Sequence, residues 1–331
     1  MLVYIISILV FNFFYILFHS KIALLINIYD KPDTNRKFHK TATPITGGLL
    51  IFLNVCIYFI YFALNKNNEL VESYFFENFR QLTIFFASSF LFFLIGIYDD
   101  KKSISALKKF FFIIIVILPI IVFLDNSIIY EVRFSFMYQT INLHKFGIFW
   151  TLLCFLLFMN AYNMFDGINL QASTYILFLS VVIFFFSSYD LLLLTLIISL
   201  IVFIFLNYRS KSFLGDGGTL FLSFIIGIMF IKLYNSNQLV YSDHIVLLMI
   251  IPGLELIRLF ISRLSKKQNP FSPDRNHIHH LLLKKFSLIK VNLIIQSLII
   301  FPYLLSLFIG YTFIILMCLI VSYFILIYKF N

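Results

Sequence analysis

The chain has 331 residues, a formal net charge of +10 and a mean hydropathy of +0.98, with 61% hydrophobic and 12% charged residues. This composition excludes an ordinary soluble globular domain and predicts an all-α protein that crosses a membrane many times. The three cysteines, Cys56, Cys154 and Cys318, each lie within an apolar run, so they lack the spacing of disulfides or of metal ligands. We expect them to pack in the core.

Eleven apolar stretches approach the length of a membrane-spanning helix, which is about 20 residues. Residues 1–20 lack the basic start and the cleavage site of a signal peptide, so we predict a retained first helix. No soluble domain stands apart, and the whole chain, 1–331, is predicted to be one integral-membrane domain. The joins at 188–190 and 309–311 are short and predict helical hairpins. The predicted spans are 2–18, 45–64, 81–98, 109–124, 146–163, 172–188, 190–206, 219–234, 244–264, 290–309 and 311–328.

The distribution of Lys and Arg predicts the orientation, because cytoplasmic loops carry an excess of both. With the N-terminus on the periplasmic side and the C-terminus in the cytoplasm, most of the 25 Lys and Arg fall on the cytoplasmic face. Such a face would attract anionic membrane lipids or a multiply charged substrate. No soluble basic domain is present, so we expect no nucleic-acid partner. On the outer side, the strand-like composition of 128–134 predicts a small hairpin.

Five polar clusters would share the cytoplasmic face under this topology. Ionisable groups at the edge of a bilayer are costly unless they are paired or functional, so their convergence indicates a site. The clusters are 30–48, 99–100, 160–169, 214–218 and 270–280.

Two of these clusters are centred on carboxylates. Asp99 and Asp100 end a span, and adjacent carboxylates repel, which suits a proton-transfer or metal site unless Lys101 and Lys102 simply neutralise the helix end. Asp216 lies in a Gly-Asp-Gly turn where a span begins. The turn's backbone N–H groups would face an anion while Asp216 holds Mg²⁺, although the same residues would also form an ordinary turn.

Polar side chains recur at helical spacing at the end of the fifth span. Asn160, Asn163 and Asp166 are three residues apart and would share one helical face. They would contact a ligand or form hydrogen bonds between helices. Further along the chain, Pro252-Gly253 predicts a break or kink in the ninth span, followed by Glu255 and Arg258.

Two clusters carry cations. Residues 36–40 would contact phosphate or act as a plain basic anchor. The stretch 273–280, Pro-Asp-Arg-Asn-His-Ile-His-His, combines a carboxylate, a guanidinium and three imidazoles between two apolar runs. These groups suit a phosphorylated ligand or a metal held against one. The alternative is a solvated loop without a role.

Taken together and in this order, these motifs resemble those of the polyprenyl-phosphate N-acetylhexosamine-1-phosphate transferases, the glycosyltransferase family 4 enzymes, from about residue 30 to 285. The motifs are Asp30-Lys31-Pro32 with Arg36-Lys37-Phe38-His39 and 44–48, Gly96 to Asp100, Asn160 to Gly167, Phe213 to Asp216, and Pro270 to His280. The resemblance implies transfer of a sugar 1-phosphate, such as an N-acetylhexosamine 1-phosphate, from a UDP-sugar to undecaprenyl phosphate, with release of UMP. It further implies a bacterial inner-membrane enzyme with a cytosolic active site that initiates a cell-envelope polysaccharide.

The same resemblance implies residue roles. Asp216 and Asp99 would bind Mg²⁺, with Mn²⁺ as an alternative ion, and Asp99 or Asp100 would deprotonate or position the lipid phosphate. Asp166 would hold the uridine and Phe213 would stack on its base. The groups implied in catalysis are Asp99, Asp100, His277, His279 and His280. The groups implied in substrate binding are Arg36, Lys37, His39, Lys40, Asn160, Asn163, Asp166, Asn169, Asn207, Phe213, Asp274 and Arg275.

The form of the histidine cluster resembles the polysaccharide-priming branch of the family, because the run of consecutive histidines followed by Phe-Glu of the peptidoglycan branch is absent. Asn169 and Leu170 replace the second Asp and the Gly of the family's Asp-Gly-x-Asp-Gly, and 207–212 replaces a usual Pro-Ala. These differences leave the uridine contacts and the sugar open. The alternative functions are a transporter or flippase for a lipid-linked anion and a family member that has become an inactive scaffold. Homodimer formation is also open.

Overall fold

A computed structural model describes residues 2–32, 42–65, 73–270 and 275–330. The described residues form twelve α-helices, and the prediction of an all-α membrane protein is confirmed. The helices are α1 Leu2–Ile26, α2 Gly47–Leu64, α3 Phe79–Lys102, α4 Ala106–Phe123, α5 Gly147–Phe165, α6 Gln171–Phe186, α7 Leu191–Tyr208, α8 Gly215–Asn235, α9 Ser242–Ser265, α10 Ile278–Leu283, α11 Leu288–Ile309 and α12 Thr312–Phe330.

Ten helices in the described part of the chain are long and apolar enough to cross a membrane. The sixth predicted span, 172–188, corresponds to α6, whose 16 residues are about 24 Å long at 1.5 Å per residue. The sequence overestimates its length because Ser188 and Tyr189, both with positive φ, already form the turn into α7. The predicted hairpin at this join is confirmed, since α6 packs against α7, and so is the one between α11 and α12.

Helix α8 is the central helix of the bundle. Every residue from Gly217 to Tyr234 is buried, and α2, α3, α5 and α6 pack around it. By contrast, α1 and α12 expose long apolar faces. The backbones approach most closely at the N-terminal end of α8, where a Cβ on Gly48 would lie 2.5 Å from the nitrogen of Gly218, and one on Gly96 would overlap the carbonyl oxygen of Asp216. These glycines allow helix ends from distant parts of the sequence to meet.

Two short antiparallel ribbons connect the helices. β1 (Tyr29–Asp30) pairs with β2 (Thr43–Pro44), and β3 (Glu131–Val132) pairs with β4 (Ile141–Asn142), which confirms the hairpin predicted around residues 128–134. After β2, Gly47 donates its N–H to the carbonyl of Phe213 at 2.9 Å, and Phe213 donates to Pro44 at 3.0 Å. The start of α2 is thereby bonded to the segment that leads into α8.

Of the break or kink predicted in the ninth span, the break does not occur. Helix α9 runs without interruption from Ser242 to Ser265, through Pro252. A proline removes one hydrogen bond of the helix, and membrane helices tolerate this loss because their neighbours hold them in place. Helices α4 and α11 contain internal prolines in the same way, Pro119 and Pro302. Beyond the proline, Arg258 forms an ion pair with Glu255.

Candidate active site

The ends of α3, α5 and α8 meet at a cavity of about 620 Å³. Its lining includes three of the predicted carboxylates together with predicted amide, aromatic and imidazole groups. These are Asp100, Asp166, Asp216, Asn163, Asn169, Asn207, Phe213 and His280, joined by Asp30. All five predicted clusters therefore contribute described residues to the lining of this cavity. The cluster 99–100 contributes Asp100 alone.

Asp100 caps the N-terminus of α8. Its two carboxylate oxygens accept hydrogen bonds from the N–H groups of Asp216, at 2.8 Å, and Gly217, at 3.0 Å. The turn needs Gly215, whose φ is +74° and whose Cβ would lie 2.7 Å from a carboxylate oxygen of Asp100. The anion predicted at this helix start is therefore the protein's own carboxylate, which also gains from the positive end of the helix dipole.

Lys109, from the start of α4, lies between two of the carboxylates. Its Nζ atom pairs with Asp99 and, at 3.0 Å, with Asp216. The other oxygen of Asp99 accepts the N–H of Ile104 at 2.6 Å. The cation beside the adjacent carboxylates is thus Lys109 and not Lys101 or Lys102, the pair considered in the sequence.

Sequence reasoning missed Lys109, although a signal was present. A lysine in the first turn of a helix lies at the positive end of the helix dipole, which is unfavourable unless a carboxylate compensates. The rest of α4 carries no charge beyond its first turn, where Lys108 and Lys109 stand. Lys108 is exposed, whereas Lys109 is half-buried and needs its carboxylate partners.

The asparagines of α5 separate in the structure. Asn163 donates its amide to Asp216 and, at 2.8 Å, to the hydroxyl of Thr219. Asn160 donates to the carbonyl of Leu156 in its own helix at 2.7 Å and does not line the cavity. The helix ends at Phe165, so the predicted common face reaches the cavity only through Asn163 and Asp166.

Asp166 faces the other carboxylates across the cavity. Burial, followed by the charges of Asp216 and Asp100, raises the pKa of Asp166 to about 7. Removing a carboxylate from water disfavours its charged form, and nearby negative charges add to this effect. The ionisation of Asp166 is therefore sensitive to pH near neutrality and to any cation that enters the cavity.

The three predicted histidines form a contact cluster at the start of α10. The ring centroids of His277 and His279 are 5.1 Å apart, and those of His279 and His280 are 4.3 Å apart. His279 is fully buried, and neither of its ring nitrogens has a hydrogen-bond partner among the described residues. Its ring packs against Gly167 so closely that a Cβ there would overlap Nε2. Burial, aided by the other two imidazoles, lowers the pKa of His279 well below its usual range, so that the ring is neutral.

Polar residues after α5 and around the end of α7 form another part of the cavity lining. Asn207 accepts the N–H of Leu170 at 2.7 Å and donates to the carbonyl of Ser212 at 2.9 Å. Asn169 donates to the hydroxyl of Ser210 at 2.9 Å. Asn207 therefore holds together the two segments that carry Asn169 and Phe213.

Comparison with known proteins agrees with this geometry. A family model described as glycosyl transferase family 4 matches residues 82–234, which include α3 to α8 with the three carboxylate positions and Lys109. The undecaprenyl-phosphate alpha-N-acetylglucosaminyl 1-phosphate transferase of Escherichia coli (strain K12) is 27% identical over 291 residues, covering 84% of this chain and 75% of its own length. The corresponding protein of Yersinia pestis is 28% identical, with 84% and 76% covered.

A probable undecaprenyl-phosphate N-acetylglucosaminyl 1-phosphate transferase of Bacillus subtilis (strain 168) is also 28% identical, over 80% of this chain and 72% of its own length. The family model and these relatives support the polyprenyl-phosphate N-acetylhexosamine-1-phosphate transferase family, within glycosyltransferase family 4, as the one this chain resembles. The family resemblance predicted from the motifs is therefore confirmed.

Some residues that the family likeness singles out are not part of the cavity wall. Arg275 is exposed, and Asp99, His277 and His279 lie behind the lining residues. Arg36, Lys37, His39, Lys40 and Asp274 lie outside the described residues. The roles assigned to all of these side chains remain predictions.

The donor atoms of the cavity fit the magnesium ion that the family implies. Asp100, Asp166, Asp216 and the hydroxyl of Thr219 present oxygen atoms, which Mg²⁺ prefers. The described part of the chain holds no preformed cluster of three or more acidic, histidine or cysteine ligands. This is consistent with Mg²⁺, which is usually held by one or two carboxylates together with substrate phosphates and water.

Proposed function

We propose that this protein transfers N-acetylglucosamine 1-phosphate, or a related N-acetylhexosamine 1-phosphate, from a UDP-sugar to undecaprenyl phosphate and releases UMP. The observation that carries the proposal is the Asp100–Asp216–Lys109 cluster beside a cavity of about 620 Å³, in a chain of this family. The relatives are named for transfer of this kind from an N-acetylglucosaminyl donor to undecaprenyl phosphate. The product would initiate a cell-envelope polysaccharide.

The reaction would bring a pyrophosphate and a lipid phosphate together among four carboxylates. Phosphoryl transfer depends mainly on positioning and on charge neutralisation. Asp216, with its side chain 29% exposed, would hold Mg²⁺, which would neutralise phosphate charge when bound. Lys109 would supply a second positive charge once substrate competes with its carboxylate partners. His280 lines the cavity and would donate a hydrogen bond to a phosphate oxygen, while the buried, neutral ring of His279 would support the wall behind it against Gly167.

We infer positioning roles, and not proton abstraction, for the adjacent carboxylates. A phosphate monoester has a second pKa of about 6, so near pH 7 the acceptor is already a good nucleophile. Asp100 uses both oxygens to cap α8, and Asp99 binds Lys109 and the backbone of Ile104. They would therefore fix the start of α8 and the lysine. Asn163 would orient Asp216 in the same way.

The cavity lies at one end of the bundle, which supports an enzyme over the transporter or flippase alternative. Alternating access places a transport site near the bilayer midplane, between discontinuous helices. Here α3 and α5 end, and α8 begins, at the site. With the basic loops facing the cytoplasm, the cavity would be cytosolic, in a bacterial inner membrane, with a periplasmic N-terminus and a cytoplasmic C-terminus.

The decisive assay measures UMP release by the purified protein with undecaprenyl phosphate, a panel of UDP-sugars and Mg²⁺. We expect release with a UDP-N-acetylhexosamine, loss of release when the divalent ion is chelated, and recovery with Mg²⁺ or Mn²⁺. Absence of release with every UDP-sugar would contradict the proposal. If the same protein then moved a lipid-linked anion across the membrane of vesicles, this result would favour the transporter. If it showed neither activity, the result would favour the inactive scaffold.

A further inference from the structure

Glu255 is a buried carboxylate outside the cavity wall that accepts hydrogen bonds from three parts of the chain. Its Oε1 atom accepts from the Arg258 guanidinium and from the backbone N–H of Ile278, both at 2.8 Å. Its Oε2 atom accepts from the hydroxyl of Tyr323 and, at 3.3 Å, from Nε of Arg258. Only 2% of Glu255 is exposed, so its charge is compensated mainly by these donors, and Nδ1 of His277 also lies 3.7 Å from Oε1.

Arg258 extends the same network to the segment before α10. Its Nη2 atom also donates to the carbonyl of Asn276 at 2.6 Å, and its Nε atom donates to the hydroxyl of Tyr323 at 3.0 Å. We call Glu255, Arg258 and Tyr323 the Glu255 network. The network joins α9, α12 and the backbone of residues 276–278.

The short helix α10 depends on such contacts for its position. It has six residues, and helices of this length are not stable on their own. Glu255 accepts the first N–H of this helix, and His279 follows one residue later. On its other side, His279 packs against Gly167 without space for even a methyl group. A displacement at Ile278 would therefore be passed directly to the imidazole beside the cavity.

We propose that Glu255 is a positioning residue for the histidine cluster. It fixes the start of α10 through Ile278, and Arg258 and Tyr323 keep its carboxylate in place. None of these three side chains is among the described residues that line the cavity. The inference rests on the proposed function only where it predicts a loss of transferase activity. The alternative is that the network merely holds α12 against α9.

The test compares Glu255→Gln and Tyr323→Phe with the neighbouring control Ser322→Ala. The Gln variant keeps the shape but places an amide against the Arg258 guanidinium, and the Phe variant removes one donor from Glu255. Ser322 bonds to the carbonyl of Leu319 in its own helix, so its loss should leave α10 in place. Reactivity of each histidine with diethylpyrocarbonate, followed by mass spectrometry of the full-length protein, reports the position of α10 without requiring activity.

The protein contains its own reference histidines. His144 is exposed, whereas His19 is buried on α1 and bonded to Thr46 at 2.9 Å. Protection through local structure predicts that His279 reacts at least about tenfold more slowly than His144 in the unmodified protein. In Glu255→Gln we expect the His279 rate to rise at least about fivefold while that of His19 stays unchanged, with a smaller rise in Tyr323→Phe and none in Ser322→Ala.

Two results would overturn the proposal. One is a His279 that stays protected in Glu255→Gln, and the other is a His19 that becomes reactive in parallel, which would indicate general loosening of the bundle. In the transferase assay, kcat of Glu255→Gln should fall about tenfold, equivalent to about 1.4 kcal/mol. If the unmodified protein released no UMP, the proposed function would fail while the labelling result would still decide the role of Glu255.

Discussion

The two ends of the helical bundle both contain charged side chains, but they compensate charge differently. At the end opposite the cavity, which we call the outer end, Asp190 accepts hydrogen bonds from Ser73, Tyr74 and Leu192, and Asp243 accepts two from Ser135. These donors are neutral, and all of them except Leu192, in the first turn of α7, belong to connecting segments. Each of these two carboxylates therefore ties a connecting segment to a helix.

At the cavity end, which we call the inner end, the carboxylates crowd together instead. Asp100 and Asp166 approach Asp216 closely enough that its charge disfavours the ionised form of Asp166, and Lys109 is shared by Asp99 and Asp216. Two lysines show the same contrast. Lys109 pairs with carboxylates, whereas the buried Lys232 at the outer end donates to the neutral carbonyl of Phe75 at 2.7 Å. A single charged residue in a membrane protein is thus weak evidence of a functional site. Several neighbouring carboxylates that share too few hydrogen-bond donors are stronger evidence, because a bound cation is then needed to compensate their charge.

The largest expected effect follows from removing the central carboxylate. Asp216→Asn should reduce UMP release by roughly two to three orders of magnitude, as loss of a strong electrostatic contact in an active site does. The matched change at the outer end, Asp243→Asn, should leave the rate within about threefold, because its partners there are loop donors. Full activity of Asp216→Asn in membranes that contain the folded protein would contradict the proposed metal site.

The shared lysine gives the next largest effect. Lys109→Met leaves Asp99 and Asp216 without their common cation, and we expect a loss of about a hundredfold in kcat/KM. The control is Lys232→Met, which removes a buried lysine with neutral partners and should lower thermal stability but not the rate. Equal losses in the two variants would show that the inner end has no special charge arrangement.

The histidine contact with Gly167 gives a smaller and sharper test. His279→Ala should lower kcat at least about tenfold, or roughly 1.4 kcal/mol of transition-state stabilisation. Gly167→Ala should have a similar effect, because its Cβ would displace the ring. Alanine at the exposed His144 of the outer end serves as the control. An unchanged rate in His279→Ala would reduce the cluster to a structural loop.

Much of this architecture could be predicted from the sequence because a bilayer imposes strict limits on the chain. Long apolar runs must be helices, and the predicted spans and hairpins correspond to them, apart from the short α6. The clustering of Asp100, Asn163, Asp166 and Asp216 also followed from assigning polar ends to one face. Asn160 was predicted to be a site residue because it lies three positions before Asn163 on the same helical face. This spacing does not show how far along the helix the cavity extends.

The partners within the site could not be predicted, since they depend on turns whose geometry is not evident from residue types. Ser103, with φ of +45°, ends α3 and reverses the chain, so that Ile104 and Lys109 return to Asp99. Likewise, Asp100 reaches the start of α8 only because Gly96 lets α3 and α8 approach closely. The contacts of Asp100 with the start of α8 join residues more than 100 positions apart. The sequence therefore did not reveal that the carboxylate oxygens of Asp99 and Asp100 already have partners within the protein.

The smallest predicted effect concerns pH and separates the inner carboxylates from the outer ones. Burial and the charges of Asp216 and Asp100 raise the pKa of Asp166 to about 7, so Asp166 is protonated below this pH and ionised above it. If the ionised form accepts a hydrogen bond from the uridine, kcat/KM should rise roughly fivefold from pH 6 to pH 7 and level off above pH 8. Asp166→Asn should remove this dependence at a lower overall rate, whereas Asp243→Asn should keep it. A profile that falls over the same interval would mean that the protonated carboxyl group is the active form, because a donor at this position would be lost as the pH passes its pKa.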